Sequence, residues 1–363
     1  MVGLHRPSPF IELAAVEAWD AWFRWREQDD LRDLSIEDTW RRVSVALASV
    51  EPGGDTAIWQ VRFMDALASW RLLPDERLLA DAGTGRITWR GDALHAAVNA
   101  ASFVPTNRTA DSAPDLVALA DCAALAVRVL DNAALMAGSD APHLRIGMIG
   151  VADALALLGV RYDSDHGRMQ AGAMARALAE GCLRGSIMLA AARGACDDDG
   201  RNVHACIARA QRRRVSAALL QDAARHGLRH AQLTAITPQP RLALLANDLA
   251  DAIDPLKGKN HPVVINAPDG QRTIVHSSGY ALAILHAGDI EPEDMPDTLP
   301  DMSWMAQIKM RAALQPWIDE SIDYPLLVTN DLGEAQRLEA RKLAASHALG
   351  EPTWREVVDL QLP

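Results

Sequence analysis

Apolar residues recur at spacings of three and four between residues 9 and 29, where Phe10, Ile11, Leu13, Val16, Trp19, Trp22, Phe23 and Trp25 trace one side of a helix. Such a stripe reads as a face turned to a core or a partner rather than as a platform for stacking bases. Ser35-Ile-Glu-Asp38 has the form of a capping box, and predicts a second helix that carries Trp40, Val43 and Leu47 and ends at Glu51-Pro-Gly-Gly54. A third helix is expected from Thr56 to Leu73, stopping before Pro74.

Beyond Gly91 short apolar runs alternate with helical periods. Strands are predicted at about 96–104, 144–149, 230–236, 323–329 and 352–358, and helices at about 114–136, 151–159, 166–194, 203–226, 303–317 and 332–348. That alternation marks parallel strands joined by crossover helices. A β-hairpin is expected over 262–277 with Ala267-Pro-Asp-Gly270 as its turn, and the acidic, proline-rich stretch 287–301 reads as an exposed loop. Seven of the ten tryptophans precede residue 90, so the chain is expected to divide into a Trp-rich helical head, 1–90, and an α/β portion, 91–363.

Composition narrows the function classes. The 363 residues, 49% of them hydrophobic, suffice for a sizeable core in one large domain or two to three small ones. Acidic side chains outnumber basic ones by 48 to 36, a net charge of −12 that repels phosphate and argues against coating nucleic acid. No uninterrupted apolar run reaches the length of a membrane span, and Met1 to Val16, cut by Glu12, does not read as a signal peptide; no membrane partner and a cytoplasmic location are expected. Cys122, Cys182, Cys196 and Cys206 form neither a C-x-x-C nor a zinc spacing and read as small helical hydrophobes. His226 and His230 are four apart, but Gly227 between them signals a helix end, so no metal site is expected. Asp197-Asp-Asp-Gly200 lacks the alternating ligands of a calcium loop and reads as a turn. Arg209 with Arg212-Arg-Arg214 reads as a solvated face, with a docking patch as the sharper alternative.

Several segments resemble, in order, the large catalytic chain of ribonucleotide reductases, most closely the adenosylcobalamin-dependent class. They are Asp38-Thr-Trp-Arg-Arg-Val43, Phe63-Met-Asp-Ala-Leu67, Leu73-Pro-Asp-Glu-Arg-Leu-Leu-Ala80 with Ala82-Gly-Thr-Gly85, and Ala97-Val-Asn-Ala-Ala101. Leu130-Asp-Asn132 and Arg145-Ile-Gly-Met-Ile-Gly-Val-Ala-Asp-Ala-Leu155 follow, the latter with Leu158-Gly-Val-Arg-Tyr-Asp-Ser164 as the most specific match. Thr234-Ala-Ile-Thr-Pro238 through Ile253-Asp-Pro255 has the spacing of the family's phosphate-loop segment, and Met310 to Gly350 resembles its last strand-helix units. The resemblance implies a ten-stranded α/β barrel of two five-stranded halves behind a helical domain. Only five candidate strands follow residue 90, and they match the second half. The fold expected is therefore α/β: a helical N-terminal region followed by a partial, second-half reductase-like barrel. Its open edges and its apolar inner face (Val98, Phe103, Ile146, Leu233, Ile236, Leu326, Val328) call for cover, and a homo-oligomer or another protein partner is expected in preference to the helices carrying Trp19, Trp22 and Trp25.

The family's chemistry, as the resemblance implies it, needs a thiyl-forming cysteine in an N-x-C-x-E arrangement, two facing cysteines to reduce the ribose, and a tail pair to relay electrons. No N-x-C-x-E occurs among these residues, and no catalytic residue is assigned. At the place of the phosphate loop stands Pro238-Gln-Pro-Arg-Leu242, where a second proline replaces a glycine and removes an N–H donor. Thr237, Gln239 and Arg241 are the residual nucleotide-binding candidates, and weak binding is expected. The expected function is that of a degenerate reductase relative acting as an interaction or regulatory protein, with no cofactor. The alternatives are an active adenosylcobalamin-dependent chain completed by a partner that supplies the missing half, and a nucleotide-binding module.

Overall fold

A computed structural model describes residues 9–28, 30–91, 94–106, 109, 112–139, 143–196, 201–288, 296–330 and 332–357. Its elements run α1 Leu13–Trp22, β1 Arg26–Glu27, β2 Asp30–Leu31, α2 Ile36–Ala48, α3 Thr56–Ala68, β3 Leu72–Pro74, α4 Glu76–Asp81 and β4 His95–Asn99. There follow α5 Leu116–Met136, β5 His143–Ile149, α6 Val151–Leu157, α7 Asp165–Arg193, α8 Arg201–Arg212, α9 Ala217–His226, β6 Gln232–Thr234 and α10 Pro240–Leu245. The last are β7 His261–Asn266, β8 Arg272–Ser277, α11 Tyr280–Ala287, α12 Trp304–Leu314, β9 Leu326–Val328, α13 Glu334–Ser346 and β10 Trp354–Glu356.

Local signals set several boundaries. Asp38 accepts the Ser35 N–H at 3.0 Å, so α2 begins where the capping box puts it. The hairpin β7–β8 turns at Pro268-Asp-Gly270, with Gly270 at φ +89° and Ala267 N–H donating to Gln271 O. Elsewhere tertiary contacts override periodicity. α1 ends at Trp22, ahead of the expected 29, and the chain turns back through β1 and β2. α3 ends at Ala68 rather than Leu73, because Trp70 takes φ +56° and releases Leu72–Pro74 as a strand. The helix expected over 203–226 is two, broken where Arg214 takes φ +54° and Ser216 caps α9. Asp197–Gly200 and part of the 287–301 loop lie outside the described residues.

The main sheet has the order β3-β4-β5-β6, with β3 antiparallel to β4 and the other three parallel. The five strands expected of a half-barrel do not form one sheet, and among the described residues no closed barrel occurs. β9 and β10 pair only with each other, in parallel, over a separate core of Trp304, Ile308, Leu332, Ala340 and Ala344. The reason lies at the β6 edge, which is already occupied. Asp319 accepts the Leu233 and Thr234 N–H groups at 3.0 and 3.2 Å, and the Asp319 and Glu320 amides return to Thr234 O. Arg209 and Arg213 clamp Asp319 in place at 3.2 and 3.0 Å. Two arginines read from the sequence as a solvated face thus guard a sheet edge.

α5 and α7 cover the main sheet and touch each other through small residues. A Cβ on Gly181 would stand 2.2 Å from Ala120 O, and one on Gly185 2.8 Å from Ala124 O, so only glycine permits this approach. All seven apolar side chains assigned to an open inner face are buried within the single chain. α1 packs instead on α10 and the hairpin, where Ala14 and Ala18 meet Leu244, Val263 and Ile265. Leu72–Pro74 pairs with Ala96–Val98 across the division placed at residues 90 and 91, and Trp19, Trp40 and Phe63 share one core with Val98 and Ile146.

Candidate functional site

Thr237, Gln239 and Arg241 come together in one cleft of about 470 Å³. The chain leaves β6 through buried Ala235 and Ile236, crosses Thr237–Gln239, and enters α10 at Pro240, whose missing N–H costs nothing at a first helical position. Facing this segment is the start of α4. There Asp75 takes the Arg77 guanidinium through both oxygens, at 2.8 and 2.7 Å, and also accepts the His95 N–H. His95 and Arg145 stand opposite each other on β4 and β5. Burial lowers the His95 pKa, so the ring is neutral near neutral pH.

Three guanidinium groups line this cleft, and each is engaged by a carboxylate. Arg77 is held by Asp75, Arg145 by Glu320 at 2.8 Å, and Arg241 by Glu76 at 3.4 Å while it lies 5.0 Å over the Trp22 ring. The backbone is committed as well. Gln239 N–H, the donor next to the missing one of Pro240, donates a hydrogen bond to Asp251 Oδ1 at 2.7 Å. An internal acid occupies the amide that an external phosphate would use. The Gln239 side chain donates to Thr237 Oγ1 at 3.2 Å. Gly147 and Gly150 serve the fold. A Cβ on Gly147 would meet Ala235 O at 2.4 Å, and Gly150, at φ +68°, caps α6.

Asp251 belongs to a strained loop that sequence reasoning did not single out. Asn247, Asp248 and Ala252 take φ of +66°, +54° and +49°. Burial pushes the Asp251 carboxyl up to about 6, and burial together with the Asp251 charge raises Asp254 to about 7. Asp153 is raised to about 6 by burial, although it accepts the Ala250 and Ala281 N–H groups at 2.7 and 3.0 Å. Asp248 goes the other way: burial would raise it, but Lys257 at 3.0 Å and His261 at 2.8 Å hold it well below the usual range.

A pH dependence follows. A carboxyl whose folded pKa exceeds its unfolded value near 4 favours the fold while protonated, so its contribution declines as pH rises from about 4 to 7. Asp254→Asn keeps the neutral form at every pH. Its stability relative to the parent is expected to increase between pH 5 and pH 8, by about 1.4 kcal/mol per unit of raised pKa at most. Neutral His95 and His230 act oppositely, losing stability below their ordinary pKa, but they are common to both proteins and cancel in the difference. Paired thermal melts showing a constant difference across that range would refute the assignment.

A second buried constellation joins Ser186, His230 and Asp131. Ser186 Oγ lies 3.2 Å from His230 Nδ1, and His230 Nε2 lies 3.3 Å from Asp131 Oδ1. All three side chains are buried, at most 1% exposed, so the arrangement is a structural network rather than a nucleophile with access to substrate. Burial drives His230 to the neutral form. Burial would also raise Asp131, but the hydrogen bond of His230 and the charges of Arg229 and Arg193 hold it ionised. Arg193 then bridges to Glu51, which also takes Arg128 at 2.8 Å and Asn132 at 2.9 Å. His226, the other half of the spaced histidine pair, is exposed at the end of α9, and among the described residues no group of three acid, histidine or cysteine side chains can hold a metal ion.

Three of the four thiols are buried. Burial pushes Cys122 up to about 12, Cys206 to about 11 and Cys182 well above its ordinary value. Cys196, half-buried after α7, has its N–H bonded to Leu228 O. None of the four lines the 237–242 cleft.

Residues 95–261 match the family model of the ribonucleotide reductase barrel domain. Over this stretch the chain is ribonucleotide-reductase-like. The match opens on the first residue of β4 and closes on the first of β7, so the reductase-like region holds the parallel strands of the main sheet, α5 to α10, Thr237–Arg241 and the strained acidic loop. It covers somewhat under half of the chain and leaves aside the tryptophan-rich helices and the β9–β10 unit. No curated protein matches the chain. Among the described residues no helix is long and apolar enough to cross a membrane.

Proposed function

We propose that this ribonucleotide-reductase-like chain does not reduce ribonucleotides and serves deoxyribonucleotide metabolism as an interaction or regulatory protein. The observation that carries the reading is the placement of sulfur. Thiyl chemistry requires a cysteine beside the ribose, and covalent radical transfer has no substitute in tighter binding. Here the cleft at the phosphate-loop position contains no thiol, and Cys122, Cys182 and Cys206 are buried on helices away from it. The cleft's volume suits a drug-sized ligand, which a corrinoid far exceeds.

The test is turnover. Purified chain, supplied with ribonucleoside di- or triphosphates and a dithiol, is expected to form no deoxyribonucleotide with or without adenosylcobalamin. Steady product from a preparation freed of contaminating reductase would refute the proposal. A nucleotide-binding module is the second reading, favoured by the convergence of Arg77, Arg145 and Arg241 on one cleft. The carboxylate partners of all three arginines and the Asp251–Gln239 bond support only weak affinity, since a phosphate must displace them. Micromolar binding by calorimetry that vanishes in Arg241→Gln would favour this second reading over the first.

A further inference from the structure

A cavity of about 570 Å³ opens between α3, α5 and α7 and shares no lining residue with the 237–242 cleft. The close approach of α5 and α7 at Gly181 and Gly185 makes its floor from backbone and small apolar groups, with Ala66 and Cys122 buried and Leu125 half-buried. Four guanidinium groups stand around it. Arg128 is committed to Glu51 at 2.8 Å, and Arg184 to Asp121 at 2.6 Å. Arg62 and Arg71 are exposed and have no carboxylate partner among the described residues. Arg62 lies 4.8 Å over the Trp59 ring and Arg71 5.7 Å from the Phe103 ring. Asp65 is the one rim carboxylate besides Asp121, so the rim keeps a positive excess in a chain of net charge −12.

We propose that this cavity binds a small organic anion, its apolar body on Ala66, Leu125 and the exposed Met188 and its acid group on Arg62 and Arg71. The volume falls in the range of small-molecule sites, which are mostly apolar with a few converging polar groups. Guanidinium groups are suited to carboxylate, sulfonate and phosphate alike, because their N–H donors match paired oxygens. Nothing in this inference depends on whether the chain reduces ribonucleotides.

The probe is 8-anilinonaphthalene-1-sulfonate, a fluorescent anion with a flat apolar body, titrated into the whole folded chain. Arg62→Gln and Arg71→Gln are each expected to weaken binding about tenfold or more, the loss typical of a charged hydrogen bond. Arg241→Gln, in the other cleft, is expected to leave it unchanged. The uncharged N-phenyl-1-naphthylamine should bind more weakly than the sulfonate, and inorganic pyrophosphate, which has no apolar body, should compete poorly. Binding indifferent to both Arg62 and Arg71, or lost equally in Arg241→Gln, would overturn the proposal. So would binding that weakens as protein concentration rises, since a second copy of the chain would then be the occupant.

Discussion

Asp131→Ala is expected to destabilise the fold by about 3–5 kcal/mol, the loss typical when one partner is removed from a buried ionic network. Asp131 is the acceptor on which Arg193, Arg229 and His230 converge, from the end of α7 and the turn before β6. Without it Arg229 loses its Asp131 contact, and Arg193 keeps its contact with Glu51. Chemical denaturation reads the effect as a lowered midpoint with little change in slope. Ser186→Ala should cost less, about 1 kcal/mol, because it removes neutral hydrogen bonds while the charges stay paired. Equal losses for the two variants, or a loss below 1 kcal/mol for Asp131→Ala, would show that the network does not hold α5 to α7.

Asp33→Ala is expected to cost a similar amount, about 3–5 kcal/mol. Asp33 and Arg42 are paired at 2.8 Å, with side chains 3% and 7% exposed, so neither charge reaches water once the other is gone. The pair also organises its surroundings. Asp33 accepts the Thr39 hydroxyl at 2.7 Å and the Trp25 N–H at 3.2 Å, while Arg42 reaches the Leu79 and Ala82 carbonyls at the end of α4. Removing both partners together, in Asp33→Leu with Arg42→Met, should cost less than the sum of the single changes, because no unpaired charge stays buried. Strict additivity in that cycle would mean the ion pair contributes nothing of its own.

Elements whose signals are complete within a few residues were legible in the sequence. Ser35 with Asp38 sets the start of α2, and Pro268-Asp-Gly270 sets the β7–β8 turn. The runs at 144–149 and 114–136 fall on β5 and α5, because strand and helix periods are properties of neighbouring residues. The reductase resemblance over β4 to β6 was visible for the same reason: its motifs are contiguous stretches such as Arg145 to Leu155. Leu72–Pro74 was not legible as a strand. Three apolar residues before a helix carry no period, and their conformation is decided by pairing with β4.

The candidate site divides along the same line. Sequence by itself determined that Thr237, Gln239 and Arg241 lie near one another, that a proline stands where a donor is wanted, and that no cysteine stands in an N-x-C-x-E setting. It also determined the mixed α/β character of the chain. Only the tertiary structure decided that Asp251 takes the Gln239 amide, that Asp319 closes the β6 edge under Arg209 and Arg213, and that Ser186, His230 and Asp131 meet. Those partners are 12 to 110 positions apart along the chain. Periodicity and capping act over one or two turns, whereas a buried charge is satisfied by whichever donor the packed helices and strands bring within 3 Å.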